Sequence, residues 1–312
     1  MTSYRAHLPQ LDGGLFLTDA GCETDLIFNK GVAIREFAAH TLLDEPEGRR
    51  ALADYYRGFL SLARDRRAGI VLDCPTWKAH PHWADDLQAT PSELERANRD
   101  AVAFSAGLRR EFRDNAAPIV LNALVGPRGD AYAPEAALAA EEAQAYHATQ
   151  LGWLAATGVD MVSALTFTQS DEAIGVVRAA RDVGLPIAVS FTVETDGSLP
   201  TGEPLAHAIE EVDASTDNAA AYFMVNCAHP DHFVDALTDG DWTRRILGLR
   251  CNASRRSHAE LDRAEVLDDG DPIELAQGYL ALQERLPRLT VVGGCCGSDL
   301  RHVTAIADAL AS

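Results

Sequence analysis

Eight short apolar runs, each closed by turn-forming residues and separated by helical stretches, limit this 312-residue chain to a parallel α/β architecture. The runs at 15–18, 69–74, 118–125, 159–165, 186–191, 221–226, 245–251 and 289–293 are rich in Val, Ile and Leu and read as buried strands. Between them, residues 51–67 place Leu52, Tyr55, Tyr56, Phe59 and Leu62 at helical spacing. Thr90-Pro91-Ser92-Glu93 offers an N-cap, a proline at the first helical position and a glutamate that completes a capping box, so a helix should run from there to about Arg113. An alanine-rich helix from Pro134 to Gly158, one from Glu172 to Gly184 and a last one from Asp299 to Leu310 complete the alternation. No composition break or low-complexity linker divides the chain. One domain over residues 1–312 is therefore expected, an α/β fold of the (β/α)8 TIM barrel type. Spacing alone also admits a doubly wound sheet. The polar stretches 195–216 and 254–272 follow the fifth and seventh strands and would lie over the barrel mouth as lids.

Composition narrows the function. With 47% hydrophobic and 24% charged residues the chain can bury a large core, and a formal charge of −20 argues against a nucleic-acid or anionic-membrane partner. The first 14 residues hold no apolar signal region, and no run approaches the roughly 20 apolar residues of a membrane span. A cytoplasmic enzyme acting on small molecules is expected, and a homo-oligomer is compatible with this composition. Six cysteines, at 22, 74, 227, 251, 295 and 296, are too sparse for a disulfide scaffold, so thiols or metal ligands are expected. Only two lysines occur, Lys30 and Lys78, which restricts any mechanism that needs an amine.

The stretch Val291-Val292-Gly293-Gly294-Cys295-Cys296-Gly297-Ser298 presents two adjacent thiols after a strand. On regular extended backbone their side chains would point to opposite faces, so shared use requires a break, which Gly293 and Gly294 are expected to supply. A disulfide between adjacent cysteines needs strained geometry, and shared metal ligation is the better use. Cys227, in Phe223-Met224-Val225-Asn226-Cys227-Ala228-His229-Pro230, is the strongest candidate for a third ligand. Three thiolates and one open position would make a zinc site capable of chemistry. At the C-terminal ends of barrel strands, Asp19, Cys74, Cys227, Cys295 and Cys296 would face one shallow bowl. Cys22, Cys74 and Cys251 read as small buried hydrophobes, and His80, His82 and His229 as neighbours of the site rather than ligands. Asp19 is either a turn cap or a substrate contact.

These motifs are similar to those of the zinc-dependent homocysteine S-methyltransferases, a family that includes betaine- and S-methylmethionine-using enzymes. Gly293-Gly294-Cys295-Cys296-Gly297 and Asn226-Cys227 resemble the family's two metal-ligand motifs. Asp19-Ala20-Gly21 with Thr24 and Leu26 resembles its opening segment, and Gly126-Pro127 and Gly158-Val159-Asp160 its third- and fourth-strand motifs. The resemblance implies a (β/α)8 barrel, Zn2+ held by Cys227, Cys295 and Cys296, and substrate contacts from Asp19, Gly21, Thr24, Asn226 and Thr166. Two positions depart from the family pattern. Leu165 stands where a glutamate commonly holds the homocysteine amino group, and Ala20 replaces a glycine. Glu23, Asp25 and Glu194 are the carboxylates that could substitute.

The implied reaction moves a methyl group from a sulfonium or ammonium donor to a metal-bound thiolate, most simply homocysteine to give methionine. Trp77 and Phe167 are candidate aromatic contacts for a cationic donor. A different thiol or selenol acceptor, a Schiff-base aldolase built on Lys78, and a non-catalytic metal or thiol sensor are the alternatives.

Overall fold

The computed structural model describes residues 3–114, 117–131, 138–261, 263–264 and 266–311. All eight expected strands are present: β1 Phe16–Leu17, β2 Gly69–Cys74, β3 Ile119–Val125, β4 Met161–Phe167, β5 Ile187–Phe191, β6 Tyr222–Asn226, β7 Ile246–Cys251 and β8 Val291–Gly294. Each pairs in parallel with the next, and β1 pairs with β8, so the sheet closes as a barrel rather than remaining an open doubly wound sheet.

A helix follows every strand: α1 Pro46–Arg66, α2 Pro91–Glu111, α3 Ala140–Ala155, α4 Ser170–Asp182, α5 Leu205–Thr216, the single turn α6 Pro230–Phe233, α7 Pro272–Arg285 and α8 Leu300–Leu310. The capping box at Thr90 is formed, with Glu93 and Thr90 exchanging side-chain-to-backbone hydrogen bonds. None of the described helices is long and apolar enough to cross a membrane.

Two expectations about elements are corrected. Residues 195–216 are not one polar lid, because Leu205, Ala208, Ile209 and Val212 bury a stripe at helical spacing and form α5. Only 195–204 forms a loop, pinned by an antiparallel bridge between Ser198 and Pro204. Strand β4 lies two residues further along than expected and so includes Thr166 and Phe167. The expected helix start at Pro134 lies outside the described residues. In the 254–272 segment, where residues 262 and 265 also lie outside them, a short helix forms at His258–Leu261, and Pro272 opens α7.

Along the inward face of the barrel, positions two residues apart change character towards the C-terminal ends. Val71, Val120, Met161, Ala188, Met224 and Val291 pack together as an apolar plug. Two residues on, the same face carries Asp73, Asn122, Ser163, Ser190 and Asn226, all buried. This polar layer is the floor of the bowl.

Gly293 and Gly294 do not break β8, since both remain in register with Arg250 and Cys251 of β7. They are needed for close approach instead. A Cβ on Gly293 would meet the Asp19 carbonyl at 2.5 Å as well as the Thr18 hydroxyl, and one on Gly294 would overlap Ser298. The chain turns only afterwards, at Cys296 and Gly297, where Gly297 has φ +78°. Gly293→Ala is expected to destabilise the fold by about 1–3 kcal/mol through overpacking against the β1 turn. Urea denaturation of the variant checks this; unchanged stability would contradict it.

Candidate active site

Cys227 follows β6, and Cys295 and Cys296 follow β8, with β7 between them. The backbone of β7 holds both sides: Cys227 N donates to Arg250 O at 3.0 Å, and Cys295 N to Cys251 O at 2.9 Å. Strands two apart in a sheet are separated by about 9–10 Å. The Cα atoms of Cys227 and Cys295 are only 5.4 Å apart. Part of this convergence lies at Cys227, whose φ of 56° takes it out of extended conformation. Its carbonyl is fixed in place by Asn252 Nδ2, donating at 3.0 Å, and by His258 Nε2 at 2.6 Å.

The three Sγ atoms lie within 4.8 Å of one another, Cys227 buried and the other two half-buried. The structure pairs Cys227 with Cys295 as a disulfide. Their Cα separation is within the range a disulfide tolerates. Disulfide formation and joint ligation of one cation are alternatives for the same two sulfur atoms. In reduced form the trio is a donor set suited to one soft cation.

No histidine joins the sulfurs among the described residues. His229 Nδ1 caps α6 by accepting from Asp231 N at 3.2 Å, and His80 Nδ1 lies 2.5 Å from the Tyr146 hydroxyl. Cys74 and Cys251 are buried in the core, and burial pushes both thiols up to about 12, which makes them inert.

Below the sulfurs, the buried Arg250 guanidinium of β7 pairs with both Asp19 and Asp73. Asp73 also accepts from Asn122 Nδ2 at 2.7 Å, and Asn122 Oδ1 accepts from Ser163 Oγ at 3.0 Å. Tyr55 donates its hydroxyl to Asp19 Oδ2 at 3.3 Å and accepts from Ala20 N at 3.1 Å. Burial pushes the Asp19 carboxyl well above its usual range, with Arg250 opposing and the Asp73 charge adding. Burial works against the Arg250 charge as well, but Asp19 and Asp73 outweigh it and hold the guanidinium above its ordinary range. Asp19 is thus an ion-paired part of the floor rather than a turn cap. Arg250, Asp73, Tyr55, Asn252 and His258 were not singled out by sequence reasoning. A signal existed for two of them: Asp73 and Arg250 are charges inside otherwise apolar strands, where burial requires a partner.

A cavity of about 140 Å³ opens beside the sulfurs. Asp19, Gly21, Thr24, Thr166 and Asn226, the five expected contact residues, all border it. Asn226 and Thr166 nevertheless direct their polar groups at each other. Asn226 Oδ1 accepts from Thr166 N at 2.9 Å and from Ser190 Oγ at 2.6 Å, while Asn226 Nδ2 donates to Thr166 Oγ1 at 2.8 Å. This network holds Thr166 at φ 67°. Thr24 Oγ1 accepts from Gly297 N at 3.2 Å and so ties the β1 turn to the Cys296 turn.

Leu165 and Trp77 form an apolar wall, with Trp77 Nε1 donating to Leu165 O at 3.1 Å. Phe167 is not at the mouth; it is fully buried, with its ring centroid 5.6 Å from that of His147. Of the three candidate carboxylates only Glu23 borders the cavity. Asp25 accepts from Asn29 Nδ2 at 2.9 Å, and Glu194 lies 3.5 Å from His258 Nδ1. Lys78 also borders the cavity; its ammonium donates to Glu36 O at 2.7 Å and lies 3.8 Å from the centre of the Trp83 ring. Burial lowers the Lys78 pKa.

Arg250→Met would leave two buried carboxylates without their cation and is expected to cost about 3–5 kcal/mol. Because the folded state then holds a carboxyl with a raised pKa, the deficit should shrink as pH falls and that group takes up a proton. Denaturant titrations at pH 7 and pH 5 test both statements; a deficit that grows on acidification would contradict them.

The chain matches the homocysteine S-methyltransferase family over residues 16–310. Among curated relatives, the S-methylmethionine–homocysteine S-methyltransferase BHMT2 of Mus musculus is 26% identical over 187 residues, covering 52% of this chain and 47% of that protein. The betaine–homocysteine S-methyltransferase 1 of Rattus norvegicus is 27% identical over 168 residues, covering 49% of this chain and 40% of that protein. The match therefore spans less than half the length of either relative. The homocysteine methyltransferase MmuM of Escherichia coli shares the fold: its oxidised form superposes with TM-score 0.75 at 17% identity and 99% coverage of both chains. Its metallated form superposes with TM-score 0.74 at 16% identity, covering 98% of this chain and 99% of that one. With the family match running from β1 through α8, this chain belongs to the homocysteine S-methyltransferase family.

Proposed function

We propose that this protein, acting as one domain, transfers a methyl group from a sulfonium or ammonium donor to the sulfur of a small thiol, homocysteine foremost, giving methionine. The observation that carries this reading is the convergence of three cysteine sulfurs beside a partly apolar cavity at the open end of the barrel. Cys227, Cys295 and Cys296 would hold zinc. Tetrahedral zinc with Zn–S bonds near 2.3 Å places sulfurs about 3.8 Å apart. Reduced side chains lying within 4.8 Å of one another can meet that spacing by small rotations.

Zinc bound there would lower the pKa of an acceptor thiol from about 8.5, so that it reacts as a thiolate at neutral pH. The chain's own residues do the rest. Arg250 and Tyr55 anchor Asp19, whose backbone carbonyl accepts from Gly294 N at 2.9 Å and so fixes the approach of β8 to the β1 turn. Asn252 and His258 hold the Cys227 carbonyl, and Asn226 holds Thr166. Trp77 and Leu165 supply a wall that excludes water. Such alignment of two reacting groups contributes about 7–11 kcal/mol to rate acceleration. A site that depends on reduced thiols suits a reducing cytoplasm.

Leu165 favours a second reading for the acceptor: with no carboxylate at the end of β4, another thiol or a selenol could take the place of homocysteine. The Schiff-base alternative would rest on Lys78 alone, whose ammonium meets the Glu36 carbonyl and the Trp83 ring.

Reduced protein should carry about one zinc per chain by elemental analysis, following a three-thiolate site. Cys227→Ser, Cys295→Ser and Cys296→Ser should each abolish methyl transfer. Mass-spectrometric screening of thiol acceptors against S-methylmethionine, betaine, dimethylsulfoniopropionate and S-adenosylmethionine reads the activity. A metal-free protein that methylates thiols at full rate would overturn the proposal. Asn252→Ala, which releases the Cys227 carbonyl, should weaken zinc binding about 10- to 100-fold in chelator competition; unchanged affinity would show that this contact does not position the ligand.

A further inference from the structure

Glu23 and Lys78 bring opposite charges into the same cavity, Glu23 from the turn after β1 and Lys78 from the segment after β2. They do not pair with each other. Among the described residues Glu23 makes no ion pair and no hydrogen bond to another residue, and burial raises its pKa against the pull of Arg250 and Lys78. The Lys78 ammonium has one hydrogen-bond acceptor, the Glu36 carbonyl, so donors remain for a ligand. Leu124, Leu165 and Trp77 line the same cavity, and its volume of about 140 Å³ is below the roughly 300–1,000 Å³ of sites for drug-sized ligands. A carboxylate and an ammonium partly removed from water beside apolar walls are each costly without a counter-charge. A ligand that carries both charges relieves both costs.

We propose that Glu23 and Lys78 form a cradle for a zwitterionic α-amino acid, Glu23 taking the α-ammonium and Lys78 the α-carboxylate, with the side-chain thiol directed at Cys227, Cys295 and Cys296. This rests on the proposed methyl-transfer reading for the direction of the thiol and assigns its acceptor class. It also accounts for Leu165: the carboxylate that meets the amino group is supplied from the β1 turn instead of the end of β4. The second cavity, of about 170 Å³, borders Cys296 and is lined by Phe28, Phe37, Val266 and Leu267, so the acceptor cradle leaves space across Cys296 for a donor.

Calorimetric titration of reduced, zinc-loaded protein with homocysteine, 4-mercaptobutanoic acid and 3-mercaptopropylamine tests the cradle, since the last two each lack one of the two charges. The wild-type protein should bind homocysteine at least about 10-fold more tightly than either analogue, the scale of one lost charge-assisted hydrogen bond. Glu23→Gln should weaken homocysteine and 3-mercaptopropylamine about 10-fold and leave 4-mercaptobutanoic acid unchanged, and Lys78→Met should weaken homocysteine and 4-mercaptobutanoic acid about 10-fold and leave 3-mercaptopropylamine unchanged. Equal binding of all three thiols by the wild-type protein, or no thiol binding, overturns the proposal, as does a Glu23→Gln variant that keeps the preference for an ammonium. The wild-type comparison needs no variant to fold. Charge-selective binding without any methyl transfer would defeat the methyltransferase reading and leave the cradle standing; methyl transfer without charge selectivity would do the opposite.

Discussion

The site depends on β7, the strand that keeps β6 and β8 apart and also determines how close their ends come. Consecutive carbonyls of Arg250 and Cys251 receive the amides of Cys227 and Cys295, so two thiols distant in sequence are referenced to one rigid backbone segment. Ala253 N continues the same bridge by donating to Cys296 O at 3.2 Å. A loop-mounted thiol would have freedom to wander. Here the backbone bonds of a closed sheet place the thiols, and their mutual geometry inherits the rigidity of the barrel.

The same strand supplies the charge that makes the floor possible. Arg250 lies between the Asp19 and Asp73 carboxyl groups and pairs with both, and without that partner two acidic groups buried beneath the cavity would destabilise the fold. The triad also has a mechanical consequence. Asp19 is held by its side chain from β7 and by its carbonyl from Gly294, which locks the turn after β1 against the end of β8. That turn carries Gly21, Glu23 and Thr24, so the wall of the cavity and the position of the sulfurs are set by one connected network.

Much of this was legible in the sequence. The eight strands, the capping box at Thr90 and the cysteines at 227, 295 and 296 follow from local signals: apolar runs, cap residues, and thiols placed just after strands. What escaped was tertiary. Helix α5 hid inside a polar segment because its buried stripe is formed by alanines and isolated aliphatic residues rather than a continuous apolar run. The role of Gly293 and Gly294 could not be read from β8 alone, since it is the Thr18–Asp19 segment and Ser298 that occupy the space a Cβ would need. Phe167 was assigned to the mouth from its place near the end of β4, whereas its ring lies on the helix-facing side against His147. Asn252 and His258 act through a carbonyl of a residue 25 and 31 positions away, and no local pattern announces that.

X-ray absorption at the zinc edge on the reduced, zinc-loaded protein tests the central claim most directly, because it counts sulfur neighbours without requiring a known substrate. The account predicts three cysteine sulfurs at about 2.3 Å with a fourth, lighter ligand or an added thiol, falling to two sulfurs in Cys227→Ser. A shell of nitrogen and oxygen alone, or a sulfur count that Cys227→Ser leaves unchanged, would contradict it.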